Sequence, residues 1–215
     1  MDVPLFLEVR MHSNGGKYQK VLTVCLSLMM LLGCVSFNTA MKESGLEISQ
    51  GETVFNRVGF RTYGEKVIYY TNRYVGGTFI PAGSECVIQD MSGDTIKFTF
   101  NGEQYALVEW IGDVSAENVK PFFEKFFSKN RSEIGLDKLN PAFRELVQEG
   151  FVKEGMTKEE VLLSIGYPAY LGVKDPTYDD KRELILSQND WYYFKGRRTK
   201  ILLRFRGKEL YEILN

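Results

Sequence analysis

Histidine is almost missing from this chain. Among its 215 residues stand one histidine, His12, and three cysteines, Cys25, Cys34 and Cys86. His12 falls in a segment that reads as a removable leader. The remaining body therefore has no histidine for a Ser-His-Asp triad, a Cys-His pair or a His-ligated metal site. An excess of one charge is missing too: 27 basic residues face 28 acidic ones, a formal net charge of −1. That near-balance argues against nucleic acid as the main partner, which calls for a strongly basic domain. A membrane-spanning run is also lacking, because the apolar stretch Val21–Cys34 falls short of the about 20 residues that cross a bilayer. These absences close much of hydrolase and metalloenzyme chemistry, and no residue pattern calls for a metal or a small-molecule cofactor.

What Val21–Cys34 does have is the anatomy of an export signal. Lys17 and Lys20 precede it, no acidic residue lies between Met11 and Cys34, and it ends in Leu31-Leu32-Gly33-Cys34. A basic start, a short apolar run and a small residue at a cut site mark a segment removed on export. Leu31-Leu32-Gly33-Cys34 resembles the lipobox of bacterial lipoproteins. The resemblance implies that residues 1–33 are a signal peptide, that Cys34 is acylated, and that the mature body works at a membrane surface outside the cytoplasm. Asp2 and Glu8 are unusual in such a leader, and Met11 is expected as the natural start. Val35 and Ser36 follow Cys34, with no Asp at the second position, which resembles lipoproteins sorted to the outer membrane of two-membrane cells. The expected location is therefore the outer membrane, facing the periplasm.

Removing residues 1–33 takes away Arg10, Lys17, Lys20, Asp2 and Glu8 and leaves a net charge of −2. With Cys25 in the leader and Cys34 acylated, Cys86 stands alone in the apolar run Glu85-Cys86-Val87-Ile88. No intramolecular disulfide is expected, and Cys86 reads as a buried, inert thiol.

Residues 34–50 are polar and rich in small side chains and read as a tether, with a docked N-terminal strand as the alternative. Residues 51–130 read as a β-rich domain plus a helix. Five short strands are predicted between Lys66 and Trp110: Lys66–Asn72, Thr78–Ile80, Glu85–Gln89, Thr95–Phe100 and Glu103–Trp110, with Asn101-Gly102 as a hairpin turn. Their spacing resembles SH3-like barrels of bacterial envelope proteins, which implies a small barrel. Ser115–Lys129 is predicted as a helix whose Val119, Phe122, Phe123, Phe126 and Phe127 form a core-facing stripe. Residues 131–139 read as a linker.

From Asn140 to the C-terminus, residues 140–215, the boundaries are sharper. Asn140-Pro141 reads as an N-cap and first helical residue, with Gly150 ending that helix. Thr157-Lys158-Glu159-Glu160 reads as a capping box opening a second helix, with Met156 and Val161 placed as a hydrophobic staple and Gly166 and Pro168 closing it. Trp191–Phe194, Thr199–Arg206 and Glu209–Leu214 read as an antiparallel meander. Gly155-Met156-Thr157, Val161, Gly166-Tyr167-Pro168, Trp191-Tyr192-Tyr193, Phe205 and Leu210 resemble the SmpA/OmlA (BamE-like) family of outer-membrane lipoproteins. The resemblance implies an ααβββ fold and a non-enzymatic role alongside outer-membrane protein assembly. The β-rich domain ahead of this module departs from the small assembly factors and favours a wider class of envelope lipoproteins that use the module for interaction. The fold class expected for the whole chain is α+β: an SH3-like barrel followed by an ααβββ BamE-like domain.

Strand alternation places Lys200, Leu202, Arg204 and Arg206 on one face of Thr199–Arg206, and Ile201, Leu203 and Phe205 on the other. With Arg197 and Arg198 they make a basic stripe for an acidic protein partner or anionic lipid headgroups, or simply a solvated face that guards against edge pairing. Asp179-Asp180 is a weak pair for acid–base or cation chemistry and reads as solvated. Gly76-Gly77 lacks any phosphate-loop context, and at least one pair of Trp191-Tyr192-Tyr193-Phe194 is expected in the core. The expected function is thus a lipid-anchored envelope protein that binds other proteins and supports outer-membrane assembly or envelope integrity. The alternative is a lipoprotein that binds cell-wall glycan or a peptide through barrel aromatics such as Tyr69, Tyr70, Tyr74 and Phe79.

Overall fold

A computed structural model describes residues 44–62, 66–69, 76–92, 95–108, 116–171, 182–195 and 199–215. The first half is built from short strands: β1 (Thr53–Asn56), β2 (Phe60–Arg61), β3 (Val67–Tyr69), β4 (Phe79–Ile80), β5 (Glu85–Ser92), β6 (Thr95–Phe100) and β7 (Glu103–Val108). Helix α1 (Ala116–Phe126) runs directly into β8 (Phe127–Ser128). Two 3-10 turns, Arg131–Ile134 and Leu136–Lys138, lead to α2 (Arg144–Glu149) and α3 (Lys158–Ile165). The chain ends with β9 (Tyr170–Leu171), α4 (Arg182–Ser187), β10 (Asp190–Phe194), β11 (Lys200–Arg206) and β12 (Glu209–Leu214). The class is α+β, as expected.

One sheet has the order β3-β7-β6-β5-β1-β8, with β3 parallel to β7 and every other pair antiparallel. β2 and β4 make a separate ribbon. Among the described residues this sheet is open, with β3 at one edge and β8 at the other, so the small closed barrel expected here does not form. Closure needs the two edge strands to pair, and among the described residues β3 pairs only with β7 and β8 only with β1.

Helix α1 is also shorter than expected. Phe127 and Ser128 leave the helix and pair with Asn56 and Phe55 of β1. The backbone N–H of Arg57 donates to the Phe126 carbonyl at 2.8 Å, and Arg57 Nε donates to the Phe127 carbonyl at 3.0 Å. Those donors hold the carbonyls away from helical use. The aromatic stripe is still core: Phe122, Phe123, Phe126 and Phe127 are all buried.

The second half follows its capping signals closely. Thr157 Oγ1 accepts the Glu160 N–H at 3.2 Å, while Glu160 Oε2 accepts the Thr157 N–H at 2.8 Å, a complete capping box. Glu160 Oε1 also accepts the Asn140 N–H at 2.9 Å, which binds the start of the first helical region to the second. Asn140 does not cap a helix itself. Its side chain accepts from Ala142 N–H, residues 141–143 form a turn, and α2 begins only at Arg144. Gly150 ends α2 at φ 72°, a left-handed conformation suited to glycine. The meander forms as a sheet ordered β12-β11-β10-β9, gaining one short strand.

One continuous core joins the two halves. Phe60 packs between Phe98, Phe126 and Phe127 at ring distances of 5.7–6.1 Å, and Phe126 meets Tyr167 edge-on at 5.6 Å. Gly59 lies against the Ser164 carbonyl so tightly that a Cβ there would stand 2.2 Å from its oxygen. Arg61 donates to the Gly150 carbonyl at 2.9 Å with its guanidinium 4.6 Å over Phe79. The end of the stretch read as a tether lies on this body, with Leu46 and Ile48 buried. No helix among the described residues is long and apolar enough to cross a membrane.

Candidate functional site: the outer face of the C-terminal sheet

The last sheet has one face that builds the core and one that meets solvent. On the inner side Trp191, Tyr193, Ile201, Leu203, Phe205 and Leu210 are buried. Trp191 Nε1 donates to the carbonyls of Ile185 and Gln188 at 3.2 and 3.1 Å, and Tyr193 Oη donates to the Gly166 carbonyl at 2.8 Å. Burial pushes the Tyr193 hydroxyl well above its ordinary pKa. Lys158 is buried as well. Its Nζ donates to the Leu186 carbonyl at 2.7 Å and to Asn189 Oδ1 at 3.2 Å, which anchors α4, and desolvation lowers its pKa although Glu159 opposes the shift.

The outer side carries the alternate residues. Cross-strand register sets Phe194 beside Lys200, Tyr192 beside Leu202, Leu202 beside Leu214, and Arg204 between Asp190 and Glu212. Lys200 and Arg206 are exposed as expected, and Lys200 Nζ lies 5.8 Å over the Phe194 ring. Arg204 is held locally: Nη1 donates to Glu212 Oε2 at 3.0 Å, and Nε stands 3.9 Å from Asp190 Oδ1. The Glu212 hydrogen bond, with the charges of Glu212 and Asp190, raises the Arg204 pKa against an opposing desolvation. Arg206 stacks 4.8 Å over Tyr211, which is 42% exposed. A bulge between Arg204 and Phe205 sets the local register there.

The expected basic stripe is therefore an alternating surface rather than a uniform one. Two of its cations sit against aromatic rings and the third lies between carboxylates. Sequence reasoning found the strand alternation but not the apolar row Tyr192, Leu202 and Leu214, nor the carboxylates on Arg204. The signal for both lay in the register across two hairpins, which periodicity within one strand does not reveal. Cys34, Arg197, Arg198, Asp179, Asp180, Tyr70 and Tyr74 lie outside the described residues, and nothing is described of the Tyr69 side chain. Phe79 is half-buried beneath Arg61. Cys86 is fully buried, and desolvation pushes its thiol up to about 12, so it carries no thiolate chemistry at neutral pH.

A cavity of about 320 Å³ opens elsewhere, between the 45–48 segment, Phe123 and Phe127. The three cations on its rim are paired, Arg57 to Glu133 at 2.9 Å, Lys120 to Glu124 at 3.8 Å, and Lys129 to Glu52 at 2.8 Å, and Glu47 also lines it. Ser128 Oγ donates to Glu133 at 2.8 Å, and this hydrogen bond, together with Arg57, lowers the Glu133 pKa. Among the described residues no group of three metal-ligating side chains occurs. Comparison with protein-family models, curated proteins and solved structures finds no match to this chain.

Proposed function

We propose that this chain is a lipid-anchored envelope protein that acts by binding other proteins and not by catalysis. The observation that carries the reading is the outer face of the β9–β12 sheet, where Tyr192, Phe194, Leu202, Tyr211 and Leu214 stand among Lys200, Arg204 and Arg206. Aromatic residues and arginine around a small apolar patch are the composition of protein-binding surfaces. The order α2, α3 and then the meander β10-β11-β12 supports the likeness of residues 140–215 to the BamE-like module, although β9 and α4 are inserted between helices and meander. The resemblance of Leu31-Leu32-Gly33-Cys34 to a lipobox supports acylation at Cys34, and the residues after it support sorting to an outer membrane. In this reading the β-rich part, residues 51–130, is the platform that holds the module, since the two share one core.

The experiment is membrane fractionation followed by co-purification from detergent extract. The intact protein is expected in the membrane fraction with protein partners, and Cys34→Ala is expected in the soluble fraction. Leu202→Asp is expected to stay membrane-bound and lose its partners. A Cys34→Ala protein that remains in the membrane contradicts the anchor. A Leu202→Asp protein that keeps every partner contradicts the docking face.

A further inference from the structure

Among the described residues, 45–50 meet the body through two side chains and through no backbone hydrogen bond. Leu46 and Ile48 are 9% and 5% exposed, while Gly45, Glu47, Ser49 and Gln50 face solvent. The backbone bonds of this segment are local. Ile48 N–H donates to the Leu46 carbonyl at 2.9 Å, and Leu46 N–H donates to Ser44 Oγ at 3.3 Å. Ser49 closes a turn with Glu52: its N–H donates to Glu52 Oε2 at 2.9 Å, and its carbonyl accepts from Glu52 N–H at 3.1 Å. Ties to the sheet begin only at Gly51 and Glu52, which bond with Ile88 at 2.8 and 3.0 Å.

Glycine bounds the segment at each end. Gly45 and Gly51 stand at φ 68° and 84°, with open space where a Cβ would lie. Such positions absorb a change of backbone direction at little steric cost. The fit beneath the segment is loose as well. Gly45 to Ile48 form one wall of the cavity of about 320 Å³ that Phe123 and Phe127 also line, so the two buried side chains leave space that a packed core would fill.

Burying two aliphatic side chains favours docking, and fixing the backbone of six residues opposes it. Ladder hydrogen bonds and close packing tip that balance for a strand. The segment has neither, and the two effects are of the same size. We propose that residues 45–50 form a strap that docks on this body and releases from it, hinged at Gly51, so that the tether ahead of β1 takes two lengths. The Glu52–Lys129 ion pair lies on the body side of the hinge and holds the pivot in both forms. Release frees six residues, at most about 20 Å of chain. This use of the strap rests on the reading of Cys34 as the anchor: docked, it keeps the body nearer the membrane, and released, it lets the body reach farther.

The test is the distance between spin labels at Glu47→Cys and Gln104→Cys, read by pulsed dipolar spectroscopy on the full chain carrying Cys25→Ala and Cys34→Ala. Both labelled positions are exposed, and Cys86 is buried with its thiol pushed up to about 12. Two populations are expected, one narrow and one broad, with the lesser at roughly a tenth of the total or more. Leu46→Ser combined with Ile48→Ser is expected to lose the narrow distance while the thermal midpoint stays unchanged. Leu46→Phe adds volume beside the cavity and is expected to raise the narrow share. If the double variant does not fold, Ile48→Ser alone takes its place, and it is expected to shift the ratio at least about tenfold toward the broad distance.

A single narrow distance overturns the proposal, because the segment then never releases. A single broad distance equal to that of the double variant overturns it too, because the segment then never docks. Two populations that the serine substitutions leave unchanged also overturn it, since the second then arises elsewhere. The labelled chain lacks the anchor, so failure of the strap is separate from failure of the anchor. The anchor falls only when Cys34→Ala stays in the membrane.

Discussion

Strand β11 presents two surfaces made by the same backbone and opposite selection. Inward, Ile201, Leu203 and Phe205 are at most 3% exposed, pressed into a core with Trp191, Tyr193 and Leu210. Outward, Lys200, Leu202, Arg204 and Arg206 alternate with them, and only Leu202 is apolar. The inner set accounts for folding: it closes the sheet and anchors α4 through the Trp191 donor. The outer set does little for folding, yet it aligns one apolar row between two charged ones across three strands. Side chains that a fold does not need, arranged in a coherent pattern, point to something outside the fold.

That contrast yields graded predictions. Trp191→Ala has the largest expected effect, about 3–5 kcal/mol of lost stability, because it removes a fully buried ring and leaves a cavity. Denaturant unfolding measures it, and a loss under about 1 kcal/mol would break the inner half of the comparison. Thr157→Ala is expected to cost about 1 kcal/mol by removing the cap of α3, and the thermal midpoint reports it. Arg204→Gln is expected to cost less than about 1 kcal/mol, since its ion pairs with Glu212 and Asp190 are partly exposed. Leu202→Asp is expected to change stability by no more than about 0.5 kcal/mol while removing binding. A loss of about 2 kcal/mol or more at Leu202 would make the outer row structural and erase the distinction.

The two halves of the chain also differ in how much the sequence reveals. In residues 140–215 the boundaries rest on local chemistry, as with Thr157 and Glu160, or Gly150 at its positive φ. Short-range hydrogen bonds of that kind are written within four residues. The alternation of 199–206 was equally legible, because a strand half-buried by helices repeats every second residue. In the first half the five strands between Lys66 and Trp110 were legible, but their closure was not. Pairing of β3 with β7 and of β8 with β1 joins residues far apart in the chain. The end of α1 was hidden for the same reason: Arg57, in the bend just after β1, takes the carbonyls of Phe126 and Phe127. The same limit applied to the site. Lys200, Arg204 and Arg206 were visible as a stripe, whereas Asp190 and Glu212 reach Arg204 only through the register of two hairpins.

The central claim is that the outer sheet face binds protein while the inner face builds the fold. The most direct measurement is cross-linking in intact cells, comparing wild type with Leu202→Asp at equal abundance and equal membrane association. The account predicts that cross-linked species disappear in Leu202→Asp while the thermal midpoint of the purified variant stays unchanged. Cross-linked species that persist at wild-type yield would contradict it.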